Sequence, residues 1–166
     1  MWAAGRVRVA EEHRVTAHCT ELIEVLLNKF VKAGELRNSL KPKVLLVLAD
    51  GNYHTIGLRI IEIFLVVKEI PSYVVIPGLP VSEVEKLVME LKPEILGISV
   101  SLVPQMESVR ALAKKFDKLP KFLRPRIVIG GQAVRRGLTV NPALGIEVMK
   151  DFFSLLDSET KIKHRP

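Results

Sequence analysis

The sequence predicts an α/β domain with a five-stranded parallel sheet, preceded by one long N-terminal helix. From Lys43 onward, short apolar runs of strand length alternate with stretches of helical periodicity. The first run, residues 44–48, is apolar at every position, which indicates a strand buried on both faces. Strands that alternate with helices form right-handed βαβ units, whose helices cover both faces of a parallel sheet. We therefore expect a Rossmann-like sheet in the flavodoxin-like strand order.

The individual elements can be placed along the chain from their periodicity. An amphipathic pattern predicts the first helix over residues 10–32. The apolar residues expected on its buried face are Val15, Cys19, Leu22, Leu26 and Phe30. Ser82 and Glu85 have the spacing of a capping box, so a helix should start there. We predict strands at residues 44–48, 73–76, 95–99, 127–129 and 146–149, and further helices at residues 56–68, 82–91, 104–116, 131–136 and 151–156.

Composition indicates one domain with a short N-terminal extension. The chain has 166 residues, enough for a substantial core, and we place the extension at residues 1–41 and the α/β domain at residues 42–166. Hydrophobic residues make up 48% of the chain but aromatic residues only 5%, so aliphatic side chains should form the core. Cys19 is the single cysteine, which excludes an internal disulfide. No signal peptide or membrane-spanning run is visible, and we expect a cytoplasmic protein.

The net charge of +7 is concentrated in connections and near the carboxyl terminus. Six lysines and arginines lie within residues 114–126, around one predicted helix-to-strand connection, and Arg135 and Arg136 follow soon after. Because no aromatic residues are interleaved with them, a solvated basic surface is the preferred interpretation, with an anionic ligand or nucleic acid as alternatives. The sequence contains no helix-turn-helix, zinc-finger spacing or RNA-binding aromatic pair, so it offers no direct DNA-binding motif.

Polar and glycine residues follow three of the predicted strands. They are Asn52, His54 and Gly57 after the first strand, Ser99 and Ser101 at the third, and Gly130 and Gly131 at the fourth. The carboxyl ends of parallel strands share one edge of the sheet, where open α/β sheets bind their ligands. We therefore expect these residues to form one site.

The residue types at this edge suggest the kind of ligand. A neutral imidazole nitrogen can bind a metal, which makes His54 the candidate metal ligand. Asn52 precedes it by two residues and would hydrogen-bond the other ring nitrogen. Gly57 and the glycine pair would let a bulky ligand approach the backbone closely, and Ser99 offers a hydroxyl between them. The implied ligand is large, contains a metal and extends down into the sheet edge.

The spacing of His54, Gly57, Ser99 and Gly130-Gly131 resembles the cobalamin-binding signature of Rossmann-like corrinoid domains. This resemblance implies a bound cobalamin, either adenosylcobalamin or methylcobalamin, in the base-off form with His54 as the lower axial ligand to cobalt. It also implies that the displaced dimethylbenzimidazole tail lies beside Ser99, Gly130 and Gly131.

Two positions depart from that signature. Asn52 stands where many members have Asp, and Ser101 stands where many have Leu. A neutral amide is a weaker hydrogen-bond acceptor than a carboxylate, so the histidine should be a less strongly tuned ligand. Cobalamin binding itself is still expected.

The N-terminal segment resembles the light-sensing cobalamin regulators of the MerR type. Trp2 is followed after nine residues by Glu12-His13, and the resemblance implies that these three residues lie at the upper face of the corrin, beside its upper ligand. The DNA-binding domain and most of the helical cap of those regulators are missing, so we expect a shortened relative, a fragment, or a chain that borrows its cap. The exposed face of the single helix predicts a homo-oligomer or a partner that supplies the cap.

Each of these residues also has an ordinary structural explanation. His54 could be a hydrogen-bonded loop residue, the glycine pair an ordinary strand-to-helix turn, and Ser99 a helix cap. The combination of the three loops favours a corrinoid site. Within that interpretation we expect a non-enzymatic sensor or regulatory module, which could respond to light. The alternatives are a corrinoid carrier that shuttles a methyl group for methyltransferases, a mutase subunit, and a flavodoxin-like domain without cobalamin.

Overall fold

The fold is a five-stranded parallel sheet with helices on both faces. The computed structural model describes residues 8–29 and 36–149. Its strands are β1 (Val44–Leu48), β2 (Ser72–Val75), β3 (Ile95–Ser99), β4 (Arg126–Gly130) and β5 (Ile146–Val148). They pair in parallel in the order β2-β1-β3-β4-β5. This is the flavodoxin-like order, and it confirms the predicted fold class.

The helices connect the strands as βαβ crossovers, after one long helix at the start. They are α1 (Val9–Asn28), α2 (Ile56–Val67), α3 (Val81–Leu91), α4 (Met106–Phe116) and the short α5 (Gln132–Arg135). Single 3-10 turns occur at Val103–Gln105, Lys121–Leu123 and Pro142–Leu144. The helix predicted over residues 151–156 lies outside the described residues. Within the described ranges, no helix is both long and apolar enough to cross a bilayer.

The sheet is buried on both faces, as the apolar run of β1 predicts. On one face, residues such as Leu45 and Leu96 pack with the buried sides of α3 and α4 in the larger core. On the other face, residues such as Leu46 and Val128 pack with α2 in a smaller core. Successive residues of a strand point to opposite faces, so β1 contributes to both cores.

Helix α1 covers the outer side of α2 rather than the sheet. Ile23 and Leu27 of α1 are buried there against Val66. Glu62 of α2, which is only 1% exposed, accepts hydrogen bonds from Arg37 Nε at 2.8 Å and Arg59 Nη1 at 2.6 Å. A buried carboxylate is costly unless it is paired, and these two guanidinium groups pair it.

Arg37 also links this buried carboxylate to α1. Its Nη2 donates to Glu24 Oε1 at 3.1 Å, so one guanidinium bridges the two helices. Burial disfavours the charged form of Arg37, but hydrogen bonds and charge from Glu62 and Glu24 more than offset this and raise its pKa. The contact between α1 and α2 therefore combines a small apolar cluster with an ion-pair network.

The predicted buried face of α1 is wrong. Val15, Leu22 and Leu26 are 60%, 64% and 48% exposed, whereas Ile23 and Leu27 are buried. Phe30 lies outside the described residues, and Cys19 is half-buried. The true inner stripe is completed by half-buried threonines, whose hydroxyls are satisfied within the helix: Thr16 donates to Glu12 and Thr20 to the carbonyl of Thr16. Polar residues can occupy a half-buried stripe when their side chains are hydrogen-bonded. The spacing of apolar residues therefore predicted the adjacent, exposed stripe instead of the buried one.

The predicted capping box of α3 is also wrong. The helix starts at Val81, and Pro80 occupies the N-cap position without a side-chain cap. The carbonyl of Pro80 accepts the backbone N–H groups of Glu83 and Val84. Ser82 is therefore an exposed residue within the first turn, and proline sets the start of the helix.

Candidate functional site

A cavity of about 680 Å³ opens at the carboxyl edge of the sheet, between α2 and the ends of β1, β3 and β4. It has the size of a typical cofactor pocket. Residues that the sequence places in the site line it: His54, Gly57, Ser99, Ser101, Gly130 and Gly131. The remaining lining residues are Leu46, Leu58, Ile60, Ile61, Phe64, Gly97, Ile98, Leu102, Val128, Gln132, Arg135, Arg136 and Met149.

Asn52 joins two of the three predicted loops. Its side chain is 1% exposed, and its Nδ2 donates to the carbonyl of Ser99 at 2.8 Å. Its Oδ1 accepts the Ser101 hydroxyl at 3.2 Å and the backbone N–H of His54 at 3.0 Å. The loop after β1 is thereby fixed to the end of β3.

The predicted hydrogen bond from Asn52 to the imidazole of His54 is not present. Asn52 instead closes an Asx turn onto the backbone two residues ahead, a common role for Asn in loops. The imidazole is exposed at the cavity and has no hydrogen-bond partner among the described residues. Both ring nitrogens of His54 are therefore available to a ligand.

The third loop is packed directly against the end of β3. Gly131 has a φ of 102°, and a Cβ there would lie 2.6 Å from the carbonyl oxygen of Val100. Only glycine tolerates this conformation and contact. The backbone N–H of Val100 also donates to the carbonyl of Gly130 at 2.8 Å. The glycine pair thus has a structural reason of its own, besides giving a ligand access.

Ser99 provides a hydroxyl at this junction. Its Oγ lies 3.1 Å from the position that a Cβ of Gly131 would take, and within the described part of the chain it has no hydrogen-bond partner. Ser101, by contrast, is buried and uses its hydroxyl on Asn52. Gln105 holds the same loop by accepting the backbone N–H groups of Ser101 and Leu102.

Gly97 forms a notch in the floor of the cavity. It lies in the middle of β3, in register with Leu46 of β1 and Val128 of β4. All three residues line the cavity, and a Cβ on Gly97 would lie 2.6 Å from Leu46 Cδ2. A glycine inside a strand weakens it and often marks a close approach. The glycine within the predicted strand is visible in the sequence, but its register with Leu46 and Val128 is not.

Arg135 and Arg136 lie exposed at the rim of the cavity, together with Gln132. Among the described residues neither arginine side chain has an ion-pair partner. The sequence indicated only a solvated basic surface here. The double arginine soon after the glycine pair was the available clue, but its position beside a cavity depends on the assembled strands.

Of the N-terminal residues predicted for the site, Glu12 and His13 are not brought to the cavity. Trp2 lies outside the described residues. Glu12 and His13 lie in the first turns of α1 with their side chains 3.5 Å apart, and no described residue of α1 lines the cavity. Over the same described ranges, no cluster of three or more His, Cys, Asp or Glu side chains is arranged to hold a metal ion.

Comparison with known proteins shows similarity of fold. No family profile matches the chain, and no curated protein matches it. Among solved structures, it is similar to a 1.5 Å crystal structure of a cobalamin-binding protein from Desulfitobacterium hafniense DCB-2. The two share 20% sequence identity with a TM-score of 0.53, and the match covers 86% of this chain. It covers 62% of that protein, so this chain corresponds to less than two thirds of its length.

Proposed function

We propose that this chain binds a cobalamin in the base-off form, with His54 as the lower axial ligand to cobalt. One observation carries the proposal: the imidazole of His54, which has no hydrogen-bond partner among the described residues, lies at the mouth of a cavity that is also lined by Ser99 and Gly97. A corrin supplies the equatorial ligands of its cobalt, so a single protein nitrogen completes the lower side. The resemblance of these residues to the corrinoid-binding signature supports the same assignment.

The inner part of the cavity, between α2 and the sheet, is a slot lined by Leu46, Leu58, Gly97 and Val128. This slot would receive the nucleotide tail of the cofactor. Its buried walls are apolar, with Leu46, Leu58 and Val128 among them. An aromatic base can be buried there without leaving the slot's own polar groups unpaired. The hydroxyl of Ser99 would donate to the ring nitrogen that the base no longer gives to cobalt.

The surroundings of the mouth suit a large amphipathic ligand. Ile60 and Leu102 line the cavity while remaining 43% and 55% exposed, and Tyr53 beside His54 is also exposed. Exposed apolar side chains around a pocket are typical of ligand sites. Arg135 and Arg136 add positive charge at the rim, where the phosphodiester of the tail would find a charge-assisted partner.

The similar structure supports this proposal because the protein with that fold is a cobalamin-binding protein. At 20% identity the comparison establishes the fold alone. The assignment to this chain therefore depends on His54, Ser99, Gly97 and the cavity that joins them.

We further propose a sensor or regulatory role without turnover, in which light acts on the upper ligand. This role rests on the resemblance of Trp2, Glu12 and His13 to the light-sensing regulators. The second candidate is a carrier that presents a methyl group to methyltransferases. The absence of α1 residues from the described cavity lining favours the carrier, because a partner enzyme must reach the upper face. When bound, cobalamin supplies the light-sensitive or methyl-donating cobalt–carbon bond that either role needs.

Helix α1 offers a surface for self-association. Val15, Leu22 and Leu26 form an exposed apolar stripe that flanks the buried Ile23 and Leu27. We propose that a second copy of the chain, or a helical segment that acts as the cap, covers this stripe. Sedimentation of the wild type and of Leu22→Lys should show an assembly that the substitution weakens, and a monomeric wild type would exclude the second copy.

The central claim is tested by corrinoid retention in the dark. The wild type, His54→Ala and His18→Ala are mixed with adenosylcobalamin or methylcobalamin, desalted, and examined by visible spectroscopy. His18 is an exposed histidine of α1 that hydrogen-bonds the carbonyl of Arg14, and it serves as the matched control. We expect retention with a base-off, His-on spectrum in the wild type and in His18→Ala, and its loss in His54→Ala. No retention by the wild type would overturn the proposal.

Illumination and methyl transfer separate the two roles. A light-dependent change in the spectrum or in the oligomeric state supports the sensor. Transfer of the methyl group to a thiol in the presence of an added methyltransferase, with no response to light, supports the carrier instead.

A further inference from the structure

We infer that the slot selects corrinoids by their lower base, accepting a benzimidazole and rejecting a purine such as adenine. This inference rests on the proposed cobalamin binding and specifies which corrinoid the site takes. It follows from the shape of the slot and from a count of its unpaired polar groups.

The floor of the slot is low where one side chain is missing. Leu46, Gly97 and Val128 occupy one row across three adjacent strands, and neighbouring strands lie about 4.8 Å apart. Leu46 Cδ2 lies over Gly97, 2.6 Å from where a Cβ would be, so this part of the floor is flat and apolar. Leu58, Ile61 and Phe64 of α2 line the opposite wall. A flat aromatic ring would lie between this floor and α2.

Few polar atoms are free inside this slot. The backbone groups of β3 are used in its pairing with β1 and β4. Ser101 donates its hydroxyl to Asn52, and its backbone N–H goes to Gln105. Within the described residues that line the interior, the hydroxyl of Ser99 is the polar side-chain group that has no partner. His54, Gln132, Arg135 and Arg136 are exposed at the mouth instead.

This distribution matches one class of base and not the other. A benzimidazole has a hydrocarbon edge and one ring nitrogen to satisfy once it leaves the cobalt, and one hydroxyl meets that need. Adenine has further ring nitrogens and an exocyclic amine, which would be buried against Leu46, Leu58 and Val128 without partners. Because an unpaired buried polar group costs much more than a hydrogen bond gains, we expect affinity for the adenine form to be lower by about ten- to a hundredfold.

The test compares three corrinoids that carry the same upper ligand: cobalamin, its analogue with adenine as the lower base, and cobinamide, which has no nucleotide. Dissociation constants are measured in the dark by visible titration of the full chain. The inference predicts that cobalamin binds most tightly, while the adenine form approaches cobinamide. Equal affinity for cobalamin and the adenine form would overturn the inference and leave the proposed function standing. Failure of all three to bind would overturn the proposed function itself.

Two substitutions locate the selection in the slot. Gly97→Val should lower the affinity for cobalamin towards that for cobinamide, and circular dichroism checks that the variant is folded. Val128→Thr adds a hydroxyl at nearly constant shape on the slot floor, so it should narrow the ratio between cobalamin and the adenine form. The slot does not select the lower base if Gly97→Val retains full cobalamin affinity. The same conclusion follows if Val128→Thr leaves the ratio of the affinities for cobalamin and the adenine form unchanged.

Discussion

The two faces of the sheet differ in how completely helices fill them. The face under α3 and α4 is a continuous core, in which Leu45 and Leu96 of the strands meet Val88, Leu112 and Phe116 of the helices. The face under α2 has a smaller core and contains the cavity. The same strands supply both faces through alternate residues. One face of this protein can therefore provide stability while the other stays open for a ligand.

Strand β3 shows this division most clearly. Its Leu96 and Ile98 belong to the filled core. Gly97, between them, lines the cavity on the opposite face. A substitution at Leu96 should accordingly change mainly stability, whereas one at Gly97 should also change ligand binding.

The largest effect is expected on the filled face. Phe116 of α4 is 2% exposed and lies in the larger core. Phe116→Ala removes this side chain, and such truncations cost about 3–5 kcal/mol of unfolding free energy. Phe122→Ala is the matched control, because Phe122 is 85% exposed and should contribute little. Urea unfolding measures both. Corrinoid affinity per folded molecule should be unchanged in Phe116→Ala, and a large loss of affinity would mean that the faces are not independent.

A smaller loss of stability is expected at Gly131, which lines the cavity and also packs against the backbone of β3. Gly131→Ala places a Cβ against the carbonyl of Val100 at positive φ, so it should cost about 1–3 kcal/mol of stability and also weaken corrinoid binding. Gly57→Ala meets no atom within 4 Å and should leave stability equal or slightly higher, while obstructing the ligand. Thermal unfolding and corrinoid titration of both variants separate these effects. Equal stability of the two variants would contradict the role assigned to Gly131.

The hydroxyl of Ser99 should affect binding alone. Ser99→Ala removes one hydrogen bond to the buried base, worth about 1 kcal/mol or roughly a fivefold loss of cobalamin affinity. Cobinamide affinity and the urea midpoint should not change. Ser82→Ala, at an exposed position of α3, is the control. An equal loss for cobinamide would place the hydroxyl away from the tail.

The smallest effect is expected at the edge of the sheet. Arg126 Nη2 donates to Glu147 at 2.9 Å, and this hydrogen bond, together with the charge of Arg126, holds the pKa of Glu147 below its ordinary 4.5 despite partial burial. Both side chains are more than two fifths exposed, so Glu147→Gln should cost only about 0.2–1 kcal/mol at neutral pH.

The pH dependence of this difference has a defined sign. Because folding lowers the pKa of Glu147, its contribution is present above the unfolded value of 4.5 and is lost as the pH falls through the lower folded value. Urea unfolding at pH 7 and in strong acid should show the difference from Glu147→Gln shrinking to zero. Glu90→Gln, at an exposed position of α3, is the control substitution. A difference that persists in acid would show that the pair is not its origin.

The sequence was sufficient for the fold and for the prediction that three loops meet at one edge of the sheet. An uninterrupted apolar run identified β1, because a strand buried on both faces shows no alternation of apolar and polar residues. His54, Ser99 and Gly131 could be assigned to one cavity because parallel strands end at one edge. These predictions depend on local composition and on topology alone.

Other features required the assembled chain. The buried stripe of α1 could not be chosen from apolar spacing, because half-buried Thr16 and Thr20 satisfy their hydroxyls within the helix. Gly97 became part of the slot only through its register with Leu46. The bonds of Asn52 reach Ser99 and Ser101, which are more than forty residues away in sequence, so proximity along the chain pointed to the imidazole instead.

The amide of Asn52 also determines how the loop responds to acid. It acts as both donor and acceptor in three bonds, to Ser99, Ser101 and the backbone of His54, and none of these groups titrates in the physiological range. A carboxylate at this position could not donate to the carbonyl of Ser99 without taking up a proton. The loop therefore keeps its anchorage as the pH falls.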